Sequence, residues 1–456
     1  MNRRNFLGQL SRGASLAGLV CGGDALLGGQ PSISTNPAAP TASDPIKITK
    51  VKAVLTMPAR IRLCAVKVET SEPGLYGVGC ATFTQRIRTV ATALEQYLAP
   101  FLAGKDPDNI EDLWQAMYQS SYWRNGPVLM NALSGVDMAL WDIKAKRAGM
   151  PLYRLLGGKC RTTIPVYRSV SGLSPEKVAE GVRRLVSEGY RYVRVQIGTP
   201  GNTTYAVGTG PATNAVPLRA GEGHFAGDPF EPSVYRRSVP KLFAYLRQEL
   251  GEEVELLHDV HERLPPIEAI GLAKELEPYR LFFLEDPLAP EDIGYFKMLR
   301  QQCATPIAMG ELFNNPNEWI DLVSGRQIDF IRCHLSQVGG ISAARKIAAL
   351  CGFFGVRTAW HGPGDTSPIG HAAHVHLDLS TWNFGIQECT MFNEAAREVF
   401  PGTPEIRDGS MFGNEKPGLG IDVNETLAAK YPIRDDPPFD YEWGRLRGRD
   451  GAIRRP

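Results

Sequence analysis

The chain lacks any uninterrupted apolar run near the roughly eighteen residues that a bilayer crossing needs, which excludes a membrane-spanning helix. It also lacks an excess of either charge. Lys and Arg number 50 against 49 Asp and Glu, for a net charge of +1, so no basic surplus exists to neutralise a phosphate backbone and nucleic-acid binding is set aside. Cysteine is sparse, eight scattered residues with no CxxC pair, which excludes a disulfide scaffold and a zinc knuckle and leaves most of them as buried apolar fillers. What remains is an ordinary globular composition, 43% hydrophobic and 22% charged, on a chain of 456 residues. That length suits about two to three domains.

The N-terminus carries Arg3-Arg4 followed by Phe6-Leu7, a Gly/Ala-rich apolar run from Ala14 to Val20, and a Pro/Ser/Ala stretch from Gln30 to Pro45. This is the layout of a twin-arginine export signal. It predicts a periplasmic destination and sets residues 1–44 apart from the fold. Without Arg3, Arg4, Arg12, Asp24 and Asp44, the remainder carries 47 charges of each sign.

From Ile46 to Ala81 short alternating runs with Gly/Pro punctuation predict an antiparallel meander. Helical patterns follow over Thr89–Leu102, Ile110–Tyr122 and Val128–Ala148, the last stopped by Gly149-Met-Pro151. Residues 45–160 thus read as a small α+β unit. Beyond it, strand-like runs alternate with helices: Ile164–Tyr167, Tyr192–Gln196, Val254–Leu257, Leu281–Leu284, Pro306–Met309, Phe330–Arg332, Val356–Trp360 and Phe384–Gln387. Eight such strands predict a closed parallel barrel. The open doubly wound sheet is disfavoured because no Gly-rich phosphate loop follows the first strand. The long Gly/Thr/Asn/Pro segment 198–232 is expected to lie over the active face.

Three acids each end an apolar run: Asp259, Glu285 and Glu311, separated by 26 and 26 residues. One strand–helix unit of a barrel is about 30 residues long, so equal spacing puts one carboxylate at the C-terminal end of each of three consecutive strands. Neighbouring strands lie about 4.8 Å apart, close enough for the three to converge on one cation. An all-oxygen, thiol-free set favours Mg2+ over zinc.

Leu257-His-Asp-Val-His-Glu-Arg, Phe283-Leu-Glu-Asp-Pro, Gly310-Glu-Leu-Phe, Val338-Gly-Gly-Ile, Trp360-His-Gly-Pro, Lys416-Pro-Gly-Leu-Gly-Ile and Val136-Asp-Met-Ala-Leu-Trp-Asp-Ile-Lys-Ala-Lys together resemble the enolase superfamily. The mandelate racemase/muconate lactonizing enzyme branch fits best, and within it the D-mannonate dehydratase family. The resemblance spans nearly all of Ile46 to Pro432. It implies a modified (β/α)7β TIM barrel over 161–400, with an α+β cap formed by the N-terminal part and by a C-terminal segment, 401–456, that returns to it. It also implies Mg2+ on Asp259, Glu285 and Glu311, a small sugar acid as substrate, and a symmetric homo-oligomer.

Superfamily members remove a proton beside a carboxylate, and several place the base on a second-strand Lys or on a seventh-strand His paired with a sixth-strand Asp. Here strand two reads Arg194-Val-Gln196 and the sixth-strand position is His334, although His361 is present. By resemblance, Tyr205 activated by Arg194 is the base, and His261 is the acid that protonates the departing hydroxyl. Asp259 and His261 are expected on one face by strand alternation. Arg332, His361 and Glu388 at the ends of strands six to eight would bind substrate. The family pattern is broken at Ser169, where active members have His, at Thr84 in place of Asn, and at Arg454 in place of a closing Trp. All three concern substrate contacts, so a non-catalytic sugar-acid-binding relative is the alternative to a dehydratase. A barrel metal-dependent hydrolase would need His-rich ligands at the strand ends, which are missing. His371, His374 and His376 read as helix packing residues, and Trp114, Trp123 and Trp141 as core aromatics.

Overall fold

The computed structural model describes residues 45–202, 229–434 and 447–455. The export-signal reading over 1–44 and the proposed base Tyr205 lie outside these residues.

Alternating apolar residues drive the first three strands, β1 (Ile48–Thr56), β2 (Leu63–Thr70) and β3 (Tyr76–Cys80), into an antiparallel sheet of that order. Helix Pro127–Arg147 lies across it. Gly77 and Gly79 make this approach feasible, since a Cβ at either would fall 2.0 or 1.9 Å from the carbonyl oxygens of Ala139 and Gly135. The helix predicted over Thr89–Leu102 runs as Ile87–Thr92, a wider π turn over Ala93–Leu98, and Ala99–Leu102. The wide turn precedes Pro100, which has no N–H for a regular helical bond.

Eight parallel strands form the barrel: β4 (Ile164–Gly172), β5 (Tyr192–Ile197), β6 (Glu255–Asp259), β7 (Phe283–Glu285), β8 (Ile307–Met309), β9 (Phe330–Ile331), β10 (Arg357–Thr358) and β11 (Gln387–Glu388). They pair in sequence, β11 returns to β4, and a parallel bridge from Thr358 to Phe384 completes the circle. A short hairpin, β12 (Glu405–Arg407) and β13 (Ser410–Phe412), pairs with the N-terminal end of β4. After β7 a 3-10 turn Pro290–Tyr295 leads into helix Phe296–Gln302.

The barrel interior is plugged by Tyr167, Leu257, Phe283, Ala308, Phe330, Ala359 and Ile386, with Tyr192 packed against them. This layer fixes where the chemistry sits. Inward-pointing residues recur every second position along a strand, so the next inward positions are Ser169, Arg194, Asp259, Glu285, Arg332, His361 and Glu388. One apolar ring carries one polar ring above it.

The C-terminal segment reaches the cap. Glu425 pairs with Lys52 and Lys67, and the Thr56 hydroxyl donates to Ala428 O. Cap and barrel are also tied at Val338-Gly-Gly-Ile. Trp114 Nε1 donates to Gly339 O at 2.8 Å, Gly339 N to Ser134 Oγ at 3.0 Å, and Ser342 N and Oγ both donate to the buried Asp137. Gly340, at φ +72°, must be glycine here, because a Cβ would sit 2.5 Å from Asp137 Oδ2.

Trp114 and Trp141 serve this seam, but Trp123 does not belong to a core: it is 79% exposed beside Tyr122 on the loop after helix Ile110–Gln119. That expectation is corrected, because the helix stops at Gln119 and the following turn aims the indole outward. His371, His374 and His376 are buried packing residues of helix Pro368–Ser380. Every cysteine among the described residues is a free thiol, and all but Cys160 are buried. No described helix is long and apolar enough to cross a membrane.

Candidate active site

Asp259 and Glu285 end neighbouring strands and are paired in register. Glu311 arrives differently. The inward position of β8 above Ala308 is Gly310, whose φ of +138° turns the chain so that the next residue, Glu311, joins the ring. The equal spacing of 26 therefore leads to a residue that reaches the ring only through a kink that periodicity does not contain. Glu285, Glu311 and Asp286 place carboxylate oxygens within 4.8 Å of one another. Asp286 went unnoticed in the sequence because strict alternation points it away from Glu285. A φ of +37° folds it back, and its Oδ1 accepts from Gly310 N. Asp259 is tied into the set by Arg194, whose Nη1 lies 2.8 Å from Glu285 Oε1 and 3.5 Å from Asp259 Oδ2.

Arg194 and Arg332 cross the ring from β5 and from the residue after β9. Arg194 Nη2 meets Glu388 Oε1 at 2.9 Å. Arg332 Nη2 contacts Glu285, Glu388 Oε2 at 3.1 Å and Glu311 Oε2 at 3.5 Å. Burial alone would raise the Glu388 pKa, but the two guanidinium groups prevail and hold it at about 2.

Glu311 is gripped from both sides, by His361 Nδ1 at 3.0 Å and His261 Nε2 at 3.4 Å. Burial works against protonation of both imidazoles. The Glu311 charge outweighs it at His361, and the Glu311 hydrogen bond with the Asp259 charge does so at His261, so both are held above the ordinary histidine value. His261 is not a strand residue, contrary to the alternation expected for it. β6 ends at Asp259, and φ angles of +53° at His261 and +60° at Glu262 swing the ring toward Glu311.

A second grouping, His334, His361 and Asp365, also falls within 4.8 Å. It is a poor metal site. His334 Nδ1 accepts from Ser336 N, so its Nε2 carries the proton and faces Thr366 Oγ1. Asp365 lies 3.8 Å from His361 Nε2, on the side where a sixth-strand acid was looked for, without a hydrogen bond between them. Its signal was the acid four residues beyond His361 in the same loop. Of the departures from the family pattern, Ser169 Oγ accepts from Arg194 Nε at 2.9 Å, Thr84 bonds Gln85, and Arg454 pairs with Asp450 near the C-terminus.

The donor set suits a hard divalent cation. Five carboxyl groups (Asp259, Glu285, Asp286, Glu311, Glu388) outnumber the two guanidinium groups and the two imidazoles beside them in a ring that is almost wholly buried. Glu285 Oε2 is buried without a hydrogen-bond partner among the described residues. Oxygen ligands of this kind are what Mg2+ selects.

The family described as "Enolase C-terminal domain-like" matches residues 177–427, and "Mandelate racemase / muconate lactonizing enzyme, N-terminal domain" matches residues 35–157. A D-galactonate dehydratase family member of Musicola paradisiaca is 56% identical over 417 residues, covering 90% of this chain and 99% of that relative. A crystal structure of an enolase from Pantoea ananatis, with bound D-gluconate and Mg, has a TM-score of 0.81 at 53% identity, over 90% of this chain and 100% of that one. The 3,6-anhydro-D-galactonate cycloisomerase of Zobellia galactanivorans has a TM-score of 0.70 at 26% identity, over 85% of this chain and 100% of that one. The chain therefore belongs to the enolase superfamily, in its mandelate racemase/muconate lactonizing enzyme branch, and to the D-galactonate dehydratase family of its relatives.

Proposed function

We propose that the protein is a Mg2+-dependent sugar-acid dehydratase that converts an aldonate of the D-gluconate or D-mannonate type into its 2-keto-3-deoxy acid. The observation that carries this reading is the polar ring itself, whose carboxylates outnumber its guanidinium groups around a buried, unpartnered Glu285 oxygen. The relatives named for D-galactonate dehydration and the gluconate- and Mg-bound neighbour support it.

Glu285 and Glu311, with Asp259 or Asp286 beside them, would hold the ion, which supplies positive charge opposite the substrate carboxylate and acidifies the adjacent C–H. His261, whose pKa is raised by its contact with Glu311, is placed to give a proton to the 3-hydroxyl, which leaves as water. Loss of the C2 proton and of that hydroxyl leaves an enol, which ketonises to the product. His361 Nδ1 lies 3.0 Å from Glu311 Oε2, a contact that raises the pKa of the imidazole and suits it to hydrogen-bond an anion. The removal is assigned to Tyr205, with Arg194 favouring its phenolate. Export to the periplasm by the Arg3-Arg4 leader is proposed alongside.

The test is incubation of the purified protein and Mg2+ with a library of aldonic and aldaric acids, including D-gluconate, D-mannonate and D-galactonate, with assay for 2-keto-3-deoxy products. Turnover of an aldonate supports the reading. Thermal stabilisation by an aldonate without product across the library favours the non-catalytic binding relative.

A further inference from the structure

The first barrel strand takes no part in the proposed proton transfers, yet it touches both arginines of the ring. Tyr167 and Ser169 are two residues apart on β4 and share its inward face. Tyr167 is fully buried. Its hydroxyl accepts from Arg332 Nη1 at 2.8 Å, and its ring centre lies 6.0 Å from Arg332 Cζ and 5.6 Å from Arg194 Cζ. Ser169 is the register partner of Arg194, and its Oγ accepts from Arg194 Nε at 2.9 Å. Arg332 Nη2 and both terminal nitrogens of Arg194 go to the acids across the barrel.

Each guanidinium is thus strung between a neutral hydroxyl on β4 and the carboxylates that a divalent cation would need. A guanidinium is a rigid planar fork, so fixing one N–H fixes the direction of the rest. If a β4 hydroxyl is removed, a buried N–H must find another acceptor. Beside the Ala359 carbonyl, 3.4 Å from Arg332 Nη1, and solvent at the exposed Ser169, the carboxylates of Glu285 and Glu388 are the acceptors at hand. The arginine then leans further onto oxygens that would otherwise serve the ion.

We propose that Tyr167 and Ser169 are positioning residues whose hydroxyls restrain Arg332 and Arg194 and so set how strongly these arginines compete with a divalent cation for the acidic ring. This rests on the cation site proposed above and assigns a task to a strand that the proposed mechanism leaves idle. It also gives Ser169 a role of its own at a position where the family pattern has another residue.

The experiment is calorimetric titration of Mn2+ into the full-length protein and its Tyr167→Phe, Ser169→Ala and Ser169→Thr variants, with thermal unfolding and aldonate kinetics in parallel. Phe keeps the ring and Ser169 is solvent-exposed, so both changes leave the packing in place. The expected result is a Kd for Mn2+ raised about threefold to tenfold in Tyr167→Phe and Ser169→Ala, near the unaltered value in Ser169→Thr. In the kinetics, kcat falls while KM moves little. Mn2+ affinities within about twofold of the unaltered protein in both deletion variants overturn the proposal. Should the unaltered protein bind Mn2+ yet turn over no aldonate, the dehydratase reading fails and the Mn2+ comparison still decides the role of β4. Absence of Mn2+ binding to the unaltered protein overturns both.

Discussion

Replacing Asp137 by Asn isolates the electrostatics of the seam that docks the cap on the barrel. Asp137 is fully buried in helix Pro127–Arg147, accepts from Ser342 N at 3.0 Å and from Ser342 Oγ, and faces Gly340. Burial raises its pKa to about 7, against the pull of the Ser342 hydrogen bonds. In the unfolded chain it titrates near 3.8. A carboxyl with a raised folded pKa stabilises the fold fully below its unfolded value, and that stability is lost as pH rises through the folded value. At pH 5 the folded group keeps its proton and the unfolded one has lost it. This difference spans about two pH units at about 1.4 kcal/mol each, so roughly 3 kcal/mol is present at pH 5 and nearly gone at pH 8. Asn keeps the shape and the acceptor for Ser342 N but cannot ionise. Urea unfolding at pH 5 and pH 8 therefore separates the two proteins. The unaltered chain should lose about 3 kcal/mol more than Asp137→Asn over that interval, with all shared groups cancelling. Equal losses, within about 0.5 kcal/mol, would refute the reasoning.

Other consequences can be checked separately. His376 Nδ1 accepts from Tyr153 N, and burial lowers its pKa to about 4; its contribution is intact above about 6.5 and lost as pH falls through 4, so His376→Gln should flatten the acid-side slope of the urea midpoint by up to about 3 kcal/mol. His261→Asn should lower kcat on the best aldonate by about 10²- to 10⁴-fold, measured by 2-keto-3-deoxy product formation, and a change under about threefold would remove His261 as the acid. Gly340→Ala should lower the urea-derived stability by about 2 kcal/mol or more, through left-handed strain and the clash with Asp137, and an unchanged midpoint would mean that the seam yields. A reporter fused to residues 1–44 should reach the periplasm only with Arg3 and Arg4 intact; cytoplasmic retention in a cell with a working twin-arginine system would remove the export proposal.

The barrel was legible in the sequence because its signal is local and periodic. Apolar runs alternate with helices, and the residue two positions beyond each inward apolar side chain carries the chemistry. Asp259 and Glu285 were reached by spacing along these runs, while Arg332, His361 and Glu388 came from the family resemblance and fall at the same inward positions in the structure. What was not legible depends on backbone dihedrals that periodicity does not encode. Gly310 at positive φ delivers Glu311 one position out of phase, Asp286 is folded back toward Glu285, and His261 reaches Glu311 from a left-handed turn, not from a strand face. Asp365 was hidden for a related reason, since it approaches His361 from a loop where the family habit looks to the preceding strand. Trp123 was misjudged because an aromatic after a helical run reads as core until the helix end is known. The tie between Ser169 and Arg194 needed the strand register, which no single strand reveals.

Crystals soaked with Mn2+ and D-gluconate, with the metal located by its anomalous scattering, test the central claim most directly. One peak is predicted among the carboxylates of Asp259, Glu285 and Glu311, with Asp286 at its edge and the sugar acid's carboxylate turned toward it. A peak on His334, His361 and Asp365 instead, or gluconate bound with no metal in the acidic ring, would contradict the account.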